Sequence, residues 1–144
     1  MGLTTEHSGK GRELDWLGLD WRDNLGYFST AGVGPIPVAL AQSTEELHDL
    51  FERVMTLRVV DDARAVSPDA TNIGDWLEVA RRGFFAFDWN RHRSAYVLVA
   101  QPNVPVKLES ITDPTLQGVA RRARLDVDIP GLMVWQRAPA HARS

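Results

Sequence analysis

Two pairs of apolar segments, each pair joined by a short polar turn, constrain the fold of this chain most strongly. Residues 14–20 precede the polar cluster 22–24 and a second apolar run at 25–29, and residues 84–89 precede a polar turn at 90–93 and a run at 95–100. Short aromatic and β-branched runs around a turn are typical of β-hairpins. The run 95–100 is almost entirely apolar, which predicts a strand in the middle of a sheet.

Three segments predict helices. Ser43 and Glu46 form a capping-box pattern ahead of apolar residues at helical spacing, which predicts a helix through about residue 54. Asn72 predicts the start of a second helix that ends at Gly83, and residues 113–114 predict a third helix through about residue 124. Residues 104–111, 126–129 and 132–136 are predicted strands, and residues 58–71 a loop. We therefore expect an α+β fold, in which a curved antiparallel sheet of about five to seven strands carries two or three packed helices.

The length of 144 residues corresponds to one domain. We expect a flexible leader at residues 1–12, a single domain at 13–137 and a flexible tail at 138–144, because both ends are polar and lack an apolar period. The chain has no cysteine, which excludes disulfides and a thiol nucleophile. No apolar run reaches the ~20 residues that cross a bilayer, and the N-terminus lacks a signal-peptide pattern, so a cytoplasmic protein without a membrane partner is expected.

Charge is divided unevenly along the chain. The whole chain has a formal net charge of −3, but residues 1–78 carry 14 acidic and 6 basic side chains, whereas residues 79–144 carry 5 acidic and 10 basic ones. Such asymmetry can mark an interaction surface. It can also be lost when the two halves fold against each other. If the acidic half forms a surface, a basic protein is the partner that it fits.

The sequence contains no recognised catalytic or cofactor motif. It has no Gly-x-Ser-x-Gly, no phosphate-binding loop and no Gly-x-Gly-x-x-Gly, and its four histidines lack metal-ligand spacing. We therefore predict no catalytic residue, no metal and no cofactor, and we expect a binding protein rather than an enzyme. A small enzyme remains an alternative if the aspartates at the hairpin ends converge, since paired carboxyl groups can serve as general acid and base.

Aspartate and tryptophan side chains near the hairpin ends are the candidates for protein binding, because tryptophan is frequent among the residues that dominate interfaces. The predicted protein-binding residues are Asp15, Asp20, Trp21, Asp23, Asp88 and Trp89. Nucleic-acid binding is the other alternative, since arginine can hold phosphates. Its candidate residues are Arg91, Arg93, Arg121, Arg122 and Arg124. The negative net charge argues against this alternative, because nucleic-acid-binding domains are usually basic.

The first hairpin also carries a resemblance. Residues 15–20 (DWLGLD) and 26–32 (GYFSTAG), with the Gly/Pro-rich exit through residue 37, resemble a family of small uncharacterised bacterial proteins, and residues 83–89 and 96–102 are similar to the second hairpin of such proteins. Proteins of this kind resemble the immunity proteins of bacterial toxin systems, which neutralise a toxin by binding it. The resemblance implies a protein partner and transfers no catalytic residue. The leading hypothesis is therefore a non-enzymatic protein-binding module, an immunity-type inhibitor of a basic bacterial toxin such as a nuclease.

Overall fold

The computed structural model describes residues 2–5, 13–42 and 44–135, and it confirms the α+β class. Within these ranges a curled main sheet carries helices, and a small two-stranded sheet lies beside it. The strands are β1 (Leu3–Thr4), β2 (Asp15–Leu19), β3 (Leu25–Ser29), β4 (Ile36–Pro37), β5 (Ala63–Ala65), β6 (Phe85–Asn90), β7 (Ala95–Pro102) and β8 (Val134–Trp135). The α-helices are α1 (Val38–Ala41), α2 (Leu50–Met55), α3 (Ile73–Arg81) and α4 (Pro114–Arg121), and 3₁₀ turns lie at Thr44–Leu47 and Leu108–Ser110.

Both hairpins form where the sequence predicts them. β2 pairs with β3 and β6 pairs with β7, each in antiparallel register. The main sheet has the order β2-β3-β6-β7-β5, and β8 adds a further antiparallel pairing to β7. β7 is thus an interior strand, as its apolar composition predicts.

The two hairpins meet through a parallel pair, which the expectation of an antiparallel sheet does not include. β3 runs parallel to β6, with Tyr27 beside Ala86 and Phe28 beside Phe87. Because β2 is antiparallel to β3, the start of β2 lies at the same end of the sheet as the ends of β3 and β6. This arrangement decides which polar side chains come together.

One face of the sheet is an aromatic core. Trp16 stacks on Phe28 at a centroid distance of 4.1 Å, and Phe28 stacks on Phe87 at 4.8 Å. Tyr96 and Trp135 close against the same rings at an angle, and all five rings are buried. Large buried aromatic rings remove much apolar surface from water, so this face supplies a main part of the folding free energy.

The helices cover the opposite face. α3 packs on β6 and β7 and α4 packs on β2, and the ring of Trp76 on α3 lies 5.9 Å from the ring of Tyr27 on β3. α4 begins as the sequence predicts, because Asp113 accepts hydrogen bonds from the backbone amides of Thr115 and Leu116. None of the helices in the described ranges is long and apolar enough to cross a membrane.

Several predicted elements differ from the structure. Residues 104–111 form a loop and a 3₁₀ turn rather than a strand, and residues 126–129 form no strand. The loop 58–71 contains the short strand β5. The helix predicted from Ser43 is divided into a 3₁₀ turn and α2, and Ser43 itself lies outside the described residues. The predicted helix is interrupted because the chain turns at residues 48–49. The spacing of the apolar residues does not predict this turn.

The ends of the chain are described only in part. Within the predicted leader, β1 pairs with β4, and the backbone amide of Val38 donates to the carbonyl oxygen of Gly2 at 2.9 Å. Residues 3–4 of the predicted leader therefore form a strand. Residues 6–12 and the whole predicted tail lie outside the described residues.

Candidate functional site

Three polar side chains form a row across the main sheet. Asp15 on β2 lies opposite Ser29 on β3, and Ser29 lies beside Asp88 on β6. Adjacent strands are about 4.8 Å apart, so the α-carbons of Asp15 and Asp88 are about 10 Å apart. Side chains two residues apart on a strand share a face, which places this acidic row (Asp15, Ser29 and Asp88) on the helix-covered face with Tyr27.

Asp15 is largely buried and forms no ion pair with any described residue. Burial raises the pKa of its carboxyl from 3.8 to about 6, although hydrogen bonds from the hydroxyls of Tyr27 and Ser29 oppose the shift. The negative charges of Glu13 and Glu52 raise the pKa further. Asp15 is thus a buried acid among other acids.

Asp88 has a similar environment. Burial raises the pKa of its carboxyl to about 6, a backbone hydrogen bond at Trp89 opposes the shift, and the charges of Asp15 and Glu13 add to it. No arginine or lysine of the described ranges pairs with Asp88. The two carboxyl groups therefore repel each other, and the described residues provide no cation to compensate them.

A cavity of about 310 Å³ opens beside the row. Asp88 and Asn90 line it from β6, and Ser67, Asp69 and Thr71 line it from the loop between β5 and α3. Its lining includes two carboxylates and no cationic side chain. We call it the acidic cavity. Its volume lies at the lower end of the range for ligand pockets, about 300–1,000 Å³, and suits one amine or guanidinium group.

Trp89 borders the acidic cavity, but its ring lies on the aromatic face, 5.0 Å from the ring of Tyr96. The hydroxyl of Tyr96 donates to the carbonyl oxygen of Pro35 at 2.6 Å, and the chain passes Trp89 at Gly34. A Cβ at Gly34 would lie 2.9 Å from Trp89 Cγ and from Tyr96 Oη, so only glycine allows this approach. Trp89, one of the predicted protein-binding residues, is therefore half-buried and packs on the aromatic face.

Asp20, one of the predicted binding residues, belongs to an internal hydrogen-bond network. Its side chain is fully buried and accepts hydrogen bonds of 2.9 Å from the amides of Arg22, Asn24 and Ile129 and from Asn24 Nδ2. Burial acts to raise the pKa of Asp20, but the hydrogen bonds from Asn24, Ile129 and Arg22 outweigh it and hold the pKa below 3.8. A carboxylate with this many internal donors is not available to a partner.

Trp21 and Asp23 lie beside Asp20, at the far end of the β2–β3 hairpin from Asp15. Trp21 is 59% exposed, and its Nε1 donates to Asp128 Oδ1 at 2.7 Å. Asp23 pairs with Arg124 at 3.0 Å. The length of β2 separates this end from the acidic row by about 13 Å or more. The structure therefore brings Asp15, Asp88 and the backbone of Trp89 together and places Asp20, Trp21 and Asp23 elsewhere.

The five arginines proposed for nucleic-acid binding do not form one surface. Arg91 and Arg93 are exposed at the β6–β7 turn, at the same end of the sheet as Asp88. Arg124 donates to the carbonyl oxygen of Asp20 at the other end, and Arg122 pairs with Glu46 at 2.8 Å. Arg121 is exposed at the end of α4. The arginines are divided between two ends of the sheet, and Arg122 and Arg124 bond to internal groups. Both facts argue against a continuous phosphate-binding surface.

The acidic row offers carboxylate acceptors to an organic cation. Among the residues described, no group of three or more His, Cys, Asp or Glu side chains could hold a metal. A guanidinium or ammonium group needs fewer converging ligands and forms charge-assisted hydrogen bonds with carboxylates. The two raised pKa values also allow the row to take up or release protons near pH 6.

Sequence reasoning missed Tyr27, Ser29 and the loop residues Asp69 and Thr71. The alternation of Leu25, Tyr27 and Ser29 places them on one face, and the short turn at 22–24 puts Ser29 opposite Asp15, so this part of the row was detectable. The loop residues had no comparable pattern, because their position depends on tertiary packing.

Comparison with known proteins finds no matching family model, no matching curated protein and no matching solved structure. The function is therefore inferred from the geometry of this chain alone.

Proposed function

We propose that this chain is a non-enzymatic protein-binding module of the immunity type, which acts in the cytoplasm and inhibits a basic bacterial toxin by binding it. The acidic row and the acidic cavity form the binding site. A lysine or arginine side chain of the partner enters the cavity and pairs with Asp88, and Asp15 adds its charge from the neighbouring strand.

The observation that supports this proposal is a pair of carboxyl groups with raised pKa values and no cationic partner in the described ranges. Interior carboxylates normally have donors or cations around them, as Asp20 has, because an uncompensated buried charge destabilises the fold. A cation from a partner would remove this repulsion. Part of the binding free energy would then come from removing the carboxylate repulsion that destabilises the unbound protein.

The surrounding charges extend the same surface. Glu13 and Glu52 act on Asp15, and Asp75 in the first turn of α3 acts on Tyr27 together with Glu52. Glu13, Glu52 and Asp75 are all exposed. An exposed field of one sign accelerates association with a partner of opposite sign and makes the rate sensitive to salt.

The test is affinity capture from host lysate treated with nuclease, using the wild-type chain and the double variant Asp15→Asn/Asp88→Asn. The expected result is a stoichiometric basic protein that the wild type retains and the double variant loses. Its toxicity on expression should be suppressed by co-expression of the wild-type chain but not of the double variant.

The matched control is Glu109→Gln/Asp126→Asn, which removes the same charge from exposed positions outside the row. This control should capture the partner as the wild type does. Equal capture by wild type and the Asp15→Asn/Asp88→Asn variant, or a partner without a basic surface, would reject the proposal. Capture that disappears after nuclease treatment would point to nucleic acid.

Acid–base catalysis is a second candidate, favoured by the two carboxyl groups with pKa values of about 6 that share one row. Paired carboxyl groups hydrolyse glycosides in many enzymes. The check is a panel of nitrophenyl glycosides assayed between pH 4 and 8. Turnover that follows a bell-shaped pH profile and is lost in Asp88→Asn would support it, and rates equal to buffer alone would remove it.

A further inference from the structure

A second cavity, of about 570 Å³, lies at the C-terminal ends of α2 and α3 and differs chemically from the acidic one. Arg58, Arg82 and Lys107 contribute to its lining, which contains no carboxylate. Its volume falls well inside the range of small-molecule sites, about 300–1,000 Å³. We call it the basic cavity, and it takes no part in the proposed binding of a basic protein.

One wall of the basic cavity depends on a glycine. Gly83 has a φ of +100°, and a Cβ there would lie 2.6 Å from both methyl groups of Val106 and 2.8 Å from its backbone nitrogen. The backbone amide of Val106 donates to the carbonyl oxygen of Gly83 at 3.2 Å. Glycine therefore allows the 104–107 loop to pack against the end of α3, and this loop forms the wall.

The innermost cation is fixed in place. The side chain of Arg82 is 12% exposed and donates to the carbonyl oxygens of Leu57 and Glu78 at 3.2 and 2.9 Å. Arg82 also pairs with Glu78 Oε1 at 2.9 Å. Glu78 is shared with Arg81, which has Asp62 as a second carboxylate partner at 3.5 Å. Arg82 is therefore a compensated cation that shapes the cavity wall, and any excess positive charge comes from the other two cations.

Two more cations lie at the cavity with no carboxylate partner among the described residues. Arg58 is exposed, and Lys107 Nζ donates to the carbonyl oxygen of Arg22 at 3.1 Å. The hydroxyl of Ser110 also lines the cavity. Guanidinium, ammonium and hydroxyl groups around one space provide the donors that an oxyanion requires.

The rest of the lining is apolar and accessible. Val60 is 38% exposed and Val104 is 43% exposed, which places them among the most exposed large apolar side chains of the described ranges. Apolar surface next to cations without a carboxylate partner fits a ligand that has both an apolar part and a negative charge. We propose that the basic cavity binds a small organic anion, an oxyanion head group on a hydrocarbon body.

The test is a titration of the wild-type chain with decanoate, decyl phosphate and decanol below their micelle concentrations, followed by calorimetry and by amide chemical shifts. Decanoate or decyl phosphate should bind at least about tenfold more tightly than decanol, the difference expected for one charge-assisted hydrogen bond. The preferred head group then distinguishes a carboxylate ligand from a phosphate ester. The largest shift changes should fall at residues 56–60 and 104–112.

The variant Arg58→Gln/Lys107→Gln should lose about tenfold or more in affinity for the preferred anion. The matched control Arg91→Gln/Arg93→Gln, which removes equal charge at the β6–β7 turn, should retain it. Equal affinity for decanol and the anions, no binding of any probe, or equal loss in both variants would overturn the proposal.

Discussion

Asp15 begins strand β2 and Asp20 follows its last residue. Both side chains are withdrawn from water, yet their pKa values shift in opposite directions. Asp20 receives four hydrogen bonds from backbone and side-chain donors, and its pKa lies below the ordinary value. Asp15 has the hydroxyls of Tyr27 and Ser29 and no cation in the described ranges, and its pKa rises to about 6. Burial acts on both carboxyl groups, so the opposite pKa shifts result from the different hydrogen-bond donors around them.

The two aspartates therefore have different consequences at the two ends of the β2–β3 hairpin. At the Asp20 end the carboxylate completes the turn and joins it to the backbone at Ile129, so its whole hydrogen-bonding capacity serves the fold. At the Asp15 end the carboxylate destabilises the free protein when ionised. A buried carboxylate that no cation of the described residues compensates is a reason to look for an external one.

The largest expected effect comes from Asp20→Ala. The variant leaves the amides of Arg22, Asn24 and Ile129 without their acceptor. The amides of Asn24 and Ile129 are buried, and each buried unpaired amide costs about 1–3 kcal/mol. We expect the free energy of unfolding to fall by at least about 3 kcal/mol. Urea denaturation measures it. A loss below about 1 kcal/mol would show that this end does not depend on the carboxylate and would break the comparison.

The next largest effect, that of Asp15→Asn, should be an increase in the free energy of unfolding rather than a decrease. The pKa of Asp15 is higher in the folded chain than in the unfolded chain, so the folded state binds more protons between about pH 4 and 6. The contribution of Asp15 to stability is therefore greatest below pH 4, falls as the pH rises to about 6 and stays low above it. Asp15→Asn removes the ionisation and should raise the free energy of unfolding at pH 7 by about 1–2 kcal/mol.

The measurement is urea denaturation of wild type and Asp15→Asn at pH 4, 5, 6 and 7. The difference between the two proteins should grow from pH 4 to 6 and then remain constant. Asp88→Asn should show the same direction with a smaller size, because Asp88 is less deeply buried. A variant less stable than wild type at pH 7 would contradict the assignment of Asp15 as an uncompensated acid.

The smallest effect is expected for Arg124→Gln. Arg124 pairs with Asp23 beside the Asp20 network, but both side chains are about half exposed, at 50% and 46%. Exposed ion pairs contribute about 0–1 kcal/mol. The free energy of unfolding should therefore fall by no more than about 1 kcal/mol, and less in high salt. A larger loss would mean that surface charge, and not Asp20, holds this end together.

Local patterns predicted much of the fold. The β2–β3 and β6–β7 hairpins form because their turns are short and close over few residues, and α4 starts at Asp113 because its capping group is adjacent in sequence. The loop 104–107 lies within residues 104–111, which the sequence predicted as a strand. Its packing against Gly83 is a tertiary contact that a local pattern does not contain.

The candidate site was predictable only in its parts. Asp15 and Asp88 are both singled out by the sequence, each within its own hairpin, but their placement on one row depends on the parallel pairing of β3 with β6. Asp20 and Asp15 also look alike in sequence. Their roles diverge because Ile129, more than a hundred residues away, donates to Asp20 in the folded chain.

The parallel pairing of β3 with β6 joins two segments that are far apart along the chain, which bears on the order in which we expect the elements to form. Tyr27 and Ala86 are about 60 residues apart, so joining their strands closes a long loop, whereas each hairpin closes over a short one. The hairpins should form first and the seam between them late. Until then Asp15 and Asp88 belong to separate hairpins, so the proposed binding site exists only in the completed fold.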